Sequence, residues 1–273
     1  MSLLEAIILG IIQGLTEFLP ISSSAHLVLV PFLLGWEIPE EQVFPFGVLV
    51  QLGTLLAVIL YFRKDLWEII KAFVQGLLSR KPFADHNSRL GWYLILATIP
   101  AGLIGLLVKD LVEAAFNSPA ATGFFLLLTA GLLFLAERIG KRDRPLEAIT
   151  WKDALAMGGA QILSIFPGVS RSGSTMAGGL SRHLERPAAA RFSFLMSIPV
   201  MLAAGILAGT DLMEMSNLGS FLPALAAGFI AAAVVGYASI HWLLSYLVRH
   251  SLRAFAIYCI ILAAVTLIVF YVL

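Results

Sequence analysis

Long uninterrupted apolar runs alternate with short polar stretches along this chain. About 20 apolar residues suffice to cross a bilayer core as a helix. Six runs approach or exceed that length and read as spans: Val43–Phe62, Leu90–Val108, Ala121–Ala136, Phe192–Gly209, Phe221–Leu247 and Ala254–Leu273. Pro100 and Pro199 lie inside two of them and predict kinks rather than ends. Four other apolar pieces are too short or too broken to cross, and they come in pairs. Leu3–Leu19 runs into Pro20 and a serine cluster, then Ala25–Leu34 follows. Ala154–Phe166 runs into Pro167-Gly168 and a second serine cluster, then Ser174–Leu184 follows. Each pair predicts a helical hairpin that enters the membrane and returns to the same side. Broken backbone at that depth needs protein or a wet cavity around it.

The composition agrees. Of 273 residues, 59% are hydrophobic and only 13% are charged. A soluble domain carries about 45–50% apolar and about 25% charged residues, so lipid must solvate much of this chain. The net charge of +1 and the lack of basic runs with interleaved aromatics argue against a nucleic-acid partner. The single cysteine, Cys259, excludes an intrachain disulfide and a cysteine metal cluster. No Lys or Arg precedes Arg63, so the first apolar segment reads as mature protein rather than a signal peptide.

Charge placement sets the expected topology. With both hairpins re-entrant, the loops carrying Arg63 to Arg89, Arg138 to Lys152, Arg182 to Arg191, and Arg249 and Arg253 share one face. Of the 18 basic residues, only Lys109 falls on the opposite face and only Arg171 within a hairpin. That opposite face also takes Glu37, Glu40, Glu41, Asp110, Glu113, Asp211 and Glu214. Basic loops stay cytoplasmic, so both termini are expected outside.

The two hairpins align without a gap at an offset of 148 residues. Gln13, Leu15, Phe18, Ser22 and Ser24 fall on Gln161, Leu163, Phe166, Ser170 and Ser172, and Phe44 and Phe46 fall on Phe192 and Phe194. The expected fold is therefore an all-α integral membrane protein: one membrane domain over 1–273, with repeats at about 1–136 and 150–273. Each repeat holds one hairpin and three spans. An odd number of spans inverts the second copy, so the hairpin tips can meet near the midplane, where inverted repeats place their binding sites.

The polar residues at those tips are expensive to keep in a membrane. A charge at the bilayer centre costs roughly 2.5–3.5 kcal/mol even on mild scales, yet Glu17, His26 and Arg171 are placed there. Gln13 and Glu17 are four apart, on one helix face. Ser22, Ser23 and Ser24 follow Pro20 as caps for the next helix, whose N-terminus suits a phosphate. Gly168 and Gly173 let backbone approach a ligand, and Arg171 offers a fork of donors to phosphate oxygens. A serine beside a carboxylate and a histidine could be activated as a nucleophile, or the imidazole could protonate a leaving oxygen. Anion clamp, nucleophile and acid/base together point to phosphoryl transfer. Taken singly, each has a plainer role: serines as turn formers, Gln13 and Gln161 as backbone partners, Arg171 as a buried partner of Glu17, His26 as a bonded core histidine. Glu17 is a single carboxylate, so metal binding is weakly indicated; Mg²⁺ or Ca²⁺ could bridge it to substrate phosphates.

These residues carry a family resemblance. Gln13–His26 resembles the (Glu/Gln)-xxx-Glu and Pro-x-Ser-Ser-x-x-His signature of bacterial undecaprenyl-diphosphate phosphatases of the bacitracin-resistance type. Pro167–Thr175 is similar to their Pro-Gly-x-Ser-Arg-Ser-x-x-Thr signature. The resemblance spans essentially the whole chain. It implies six spans with two re-entrant hairpins in a bacterial plasma membrane, and a pocket open to the outer face. It implies hydrolysis of undecaprenyl diphosphate to undecaprenyl phosphate and inorganic phosphate, which recycles the cell-wall carrier lipid and confers bacitracin resistance. By motif position, Ser23 is the implied nucleophile and His26 the acid/base. Glu17 orients, activates or binds a cation. Arg171, Ser170, Ser172 and Thr175 hold phosphate oxygens, with Gln13, Ser22 and Ser24 beside them. Gln13 departs from the Glu common in the family, which weakens a two-carboxylate metal scheme; Ala25 and Ser24 stand where Gly and Thr are frequent. The rival expectation is a transporter or flippase of polyprenyl phosphate lipids, since broken helices also suit transport. Gly228, Ala232 and Gly236 could support helix contacts within the chain or in a homodimer.

Overall fold

The computed structural model describes residues 1–108, 111, 112, 115, 118–213 and 218–272. Lys109, Asp110, Glu113 and Glu214 lie outside the described residues, as do the side chains of Glu40, Glu41, Phe44 and Asp211. The described chain is all-helical: α1 Leu3–Thr16, α2 Ser23–Leu34, α3 Glu40–Tyr61, α4 Arg63–Leu78, α5 His86–Leu107, α6 Pro119–Ile139, α7 Trp151–Leu163, α8 Arg171–Ser181, α9 Arg186–Met213, α10 Leu218–Leu247 and α11 Arg253–Val272. A 3₁₀ turn at Leu146–Ala148 precedes α7.

Among the described residues, four helical stretches are long and apolar enough to cross a membrane: Pro119–Ile139, Arg186–Ile206, Phe221–Leu247 and Arg253–Val272. Pro45–Tyr61 with Arg63–Leu78 makes a fifth candidate, bent by 77° at the break. Helices α5 and α9 continue through Pro100 and Pro199, as neighbouring helices allow in membranes. Large apolar side chains face outward along these helices, among them Leu103, Ile206, Ile230, Ile261 and Ile268. That surface fits lipid and not water, and it makes the chain a multi-pass integral membrane protein.

One segment expected as loop is helical. Residues 63–78 form α4, because Leu66 and Ile69 repeat at helical spacing and pack against the core. Its outer face shows Trp67, Ile70, Val74, Leu77 and Leu78. An exposed apolar arc of that kind, flanked by Lys64 and Lys71, is the pattern of a helix lying in the membrane interface.

Close backbone approaches hold the bundle. A side chain at Gly10 would collide with the backbone of Gly228, and one at Gly14 would stand 2.8 Å from Ala232 O and from Gly236 N. The small residues of α10 therefore seat α1 of the same chain. A side chain at Gly158 would likewise lie 2.5 Å from Ala97 O, so α7 seats on α5 in the same way. Gly10 and Gly158 are again 148 positions apart.

Two buried carboxylates tie the polar loops at one end. Glu137 accepts from Arg142, from Nε and Nη2 of Arg186, and from the Leu252 amide. Asp153 accepts from Arg144, Arg182 and Thr150. Burial pushes the Asp153 carboxyl up, and hydrogen bonds from Arg144, Thr150 and Arg182 outweigh it, holding it at about 2. The basic loops are thus not simply solvated: four of their arginines are committed to these two acids.

Candidate active site

The helix breaks build two tips with one hydrogen-bond pattern. Thr16 ends α1, and Ser22 caps α2 by accepting from the Ala25 amide at 3.3 Å. Leu163 ends α7, and Ser170 caps α8 by accepting from the Gly173 amide at 3.0 Å. In each tip the cap hydroxyl lies 3.1 Å from the serine two positions on, Ser22 to Ser24 and Ser170 to Ser172. The second turn needs its glycine: Gly168 has φ 103, and a Cβ there would sit 2.5 Å from Thr122 O. The first turn instead places Ser22 at φ 68 and ψ 96. A side-chain-bearing residue held there costs of order 1–3 kcal/mol and persists only where its surroundings impose it.

The tips touch. Ser172 Oγ donates to Leu19 O at 2.9 Å. Arg171 Nη2 donates to Glu17 Oε1 at 2.7 Å, 154 positions apart in sequence, while Arg171 Nη1 donates to Ser193 O at 3.2 Å. Glu17 is only 4% exposed, so its charge needs these partners. Its other oxygen, Oε2, accepts from Ser23 Oγ at 2.6 Å and from Gln13 Nε2 at 2.8 Å. The i, i+4 spacing of Gln13 and Glu17 is thus realised as a direct bond.

A cavity of about 150 Å³ opens beside this pair. Gln13, Glu17, Ser22, Ser23, Ser24, Ser170 and Arg171 line its polar end, and Leu27, Val28, Val48, Ile165 and Val169 its apolar walls. A polar end with apolar walls suits a phosphorylated head on a hydrocarbon chain. Three residues assigned to the site from sequence lie elsewhere. Ser172 is turned to Leu19 O. Thr175 lies one turn deeper, donating to Arg171 O and meeting Ser193 Oγ at 2.7 Å. His26 is held between Ser22 O and the Tyr258 hydroxyl, 2.7 Å from each. None of the three lines the cavity.

The structure adds residues the sequence reading passed over. Gln51, from α3, lines the cavity with its amide 3.5 Å from Glu17 Oε1; a lone glutamine inside an apolar run was a readable signal. Thr129, from α6, accepts from the Ser170 amide and donates to Gly168 O, fixing the second turn. Gln13 Oε1 is a buried oxygen without a hydrogen-bond partner among the described residues. Beside Glu17 it fits a hard cation arriving with phosphates. Among the described residues no group of three or more His, Cys, Asp or Glu is gathered to hold a metal.

The stretch of chain that holds these residues matches known proteins. An undecaprenyl-diphosphatase of Chlorobium chlorochromatii (strain CaD3) is 46% identical, the match covering 98% of this chain and 96% of that protein. One of Gemmatimonas aurantiaca is 46% identical over 97% of both chains, and one of Myxococcus xanthus 42% identical over 98% of this chain and 89% of its own. The family model described as bacitracin resistance protein BacA matches residues 6–265, a range that contains both tips and the cavity between them. With the match running through every element that builds the site, the chain belongs to the bacitracin resistance protein BacA family.

Proposed function

We propose that this chain hydrolyses undecaprenyl diphosphate to undecaprenyl phosphate and inorganic phosphate. The observation that carries the reading is the Ser23 hydroxyl held 2.6 Å from a buried carboxylate, with the Arg171 guanidinium on that carboxylate's other oxygen. A protein that only binds or moves the lipid has no use for a serine aimed at a base, whereas phosphoryl transfer through a covalent intermediate uses one.

The reaction follows from the contacts. The terminal phosphate enters the polar end of the cavity, and the prenyl chain leaves along Leu27, Val28 and Val48. Ser23 Oγ attacks the terminal phosphorus while Glu17 takes its proton. The bond from that phosphorus to the bridging oxygen breaks, and undecaprenyl phosphate departs. Glu17 passes that proton to the departing bridging oxygen; water then attacks the phosphoserine, losing a proton to the freed carboxylate, which returns it to Ser23 Oγ as phosphate leaves. Arg171, the α2 N-terminus and the hydroxyls of Ser22, Ser24 and Ser170 meet the charge that builds on the equatorial oxygens. A divalent cation, Mg²⁺ or Ca²⁺, would be held by Glu17 and Gln13 Oε1 and would neutralise the diphosphate charge. His26, Ser172 and Thr175 act by holding the tips.

The topology belongs to the same proposal. The pairs α1–α2 and α7–α8 are re-entrant, and six spans cross: α3, α5, α6, α9, α10 and α11. The repeats at about 1–136 and 150–273 are inverted copies, supported by the matched serine caps and the paired seats of Gly10 and Gly158. The termini and the cavity mouth face outward from a bacterial plasma membrane, with α4 on the cytoplasmic interface. Hydrolysis there recycles the carrier lipid for the cell wall and removes the diphosphate that bacitracin sequesters.

Purified protein in detergent, given undecaprenyl diphosphate, is expected to release one phosphate per lipid and leave the monophosphate. Stable binding of the diphosphate without phosphate release would reject the enzyme reading in favour of a carrier.

A further inference from the structure

Tyr258 stands on α11, 232 positions from His26, and belongs to neither tip. Its ring nonetheless stacks on the imidazole, with centroids 5.6 Å apart and planes 6° from parallel. Its hydroxyl lies 2.7 Å from His26 Nε2, and His26 Nδ1 lies 2.7 Å from Ser22 O. A carbonyl oxygen can only accept, so Nδ1 carries the proton. Nε2 of the neutral ring is then an acceptor, and the Tyr258 hydroxyl donates to it. The direction of the chain is thereby fixed: Tyr258 to His26 to the Ser22 carbonyl. The His26 amide donates to the same carbonyl at 3.3 Å. The neighbouring Cys259 thiol lies 3.8 Å from Pro20 O, so two successive residues of α11 touch the first tip.

What this chain holds is unusual backbone. Ser22 has φ 68 without being glycine, and the peptide after it carries Ser23, whose hydroxyl is aimed at Glu17. Such a conformation lasts only if neighbours impose it, and the carbonyl of Ser22 is where they act.

We propose that Tyr258 is a positioning residue for the reaction at Ser23. It keeps His26 in the Nδ1–H form, and His26 keeps the Ser22–Ser23 peptide in the conformation that aims the nucleophile. The proposal rests on the reading of Ser23 as nucleophile. It competes with a direct role for His26 as acid to the leaving phosphate. That role would need a proton on Nε2, which here accepts from Tyr258, and neither His26 nor Tyr258 lines the cavity.

The test is a set of variants of the full chain, assayed with undecaprenyl diphosphate in detergent. Tyr258→Phe keeps the ring stack and removes one hydroxyl; kcat is expected to fall about tenfold with KM little changed, as for a small misaim of the reacting atom. His26→Asn sets an amide nitrogen where Nδ1 stands, and His26→Gln sets one where Nε2 stands. His26→Asn is expected to keep at least about tenfold more kcat than His26→Gln, because it alone retains the donor to Ser22 O. Within His26→Asn, adding Tyr258→Phe costs nothing further, since the tyrosine acts only through the imidazole. Equal losses for Asn and Gln at position 26 would overturn the proposal. So would additive losses in the double variant, or a Tyr258→Phe effect on KM alone. Melting temperatures of the purified variants separate misfolding from misaim: the Asn–Gln difference must appear between variants that melt together. Failure of the underlying reading is seen elsewhere, as turnover retained by Ser23→Ala.

Discussion

Replacing Ser23 by alanine is expected to lower kcat for phosphate release by at least about 10³-fold, in keeping with the loss of a nucleophile that works as a unit with its base. The substitution should leave the fold alone. Ser23 is the first residue of α2, where alanine is a good helix former, and the cap hydroxyl belongs to Ser22. Glu17 keeps Gln13 and Arg171 as partners when the serine is gone. Melting temperature should therefore stay near that of the unchanged protein while turnover collapses. The positive counterpart is a phosphoserine at position 23, trapped by acid quench and located by mass spectrometry. Near-normal turnover of Ser23→Ala would mean that water attacks directly and that the covalent step does not occur.

Arg171 carries the second large effect, and its two roles separate by substitution. Arg171→Ala leaves the Glu17 carboxylate buried and unpaired, a loss of about 3–5 kcal/mol in stability, and removes the cation facing the transferred phosphate, worth about 10²–10³ in kcat. Arg171→Lys restores the charge but not the fork. The guanidinium spans two acceptors, Glu17 Oε1 through Nη2 and Ser193 O through Nη1, and one ammonium point charge does not replace that geometry. The lysine variant is expected to melt close to the unchanged protein while kcat stays down by about 10²-fold. Turnover intact in Arg171→Lys would reduce Arg171 to a structural counter-ion.

Much of this site was legible along the chain because its signals are local. The i, i+4 spacing of Gln13 and Glu17, the break at Pro20 and the serine caps follow from helix geometry. Each is found where that geometry puts it. The meeting of Glu17 with Arg171 was legible from charge economy, since neither could stay buried alone. A motif gives spacing but not rotation or depth: Arg171 lines the cavity, Ser172 turns about 100° away from it to meet Leu19 O, and Thr175 sits one turn further on against Ser193. The helix at 63–78 was hidden because Arg63, Lys64 and Lys71 read as a loop, although Leu66 and Ile69 already marked a packed face. Tyr258, Thr129 and Ser193 had no signal at all. They are ordinary residues of apolar helices, and only the tertiary arrangement brings them to the tips.

The active centre exists only if the two tips meet, and a disulfide across them tests this most directly. A Cβ on Gly173 would stand 3.4 Å from Pro20 Cβ, close to the spacing that a disulfide spans. With Cys259 replaced by serine, the pair Pro20→Cys and Gly173→Cys should form an intramolecular disulfide on mild oxidation, joining the peptides around positions 20 and 173 in a digest. If instead the two cysteines stay free in folded protein under oxidation, the tips do not meet and the active centre described here does not exist.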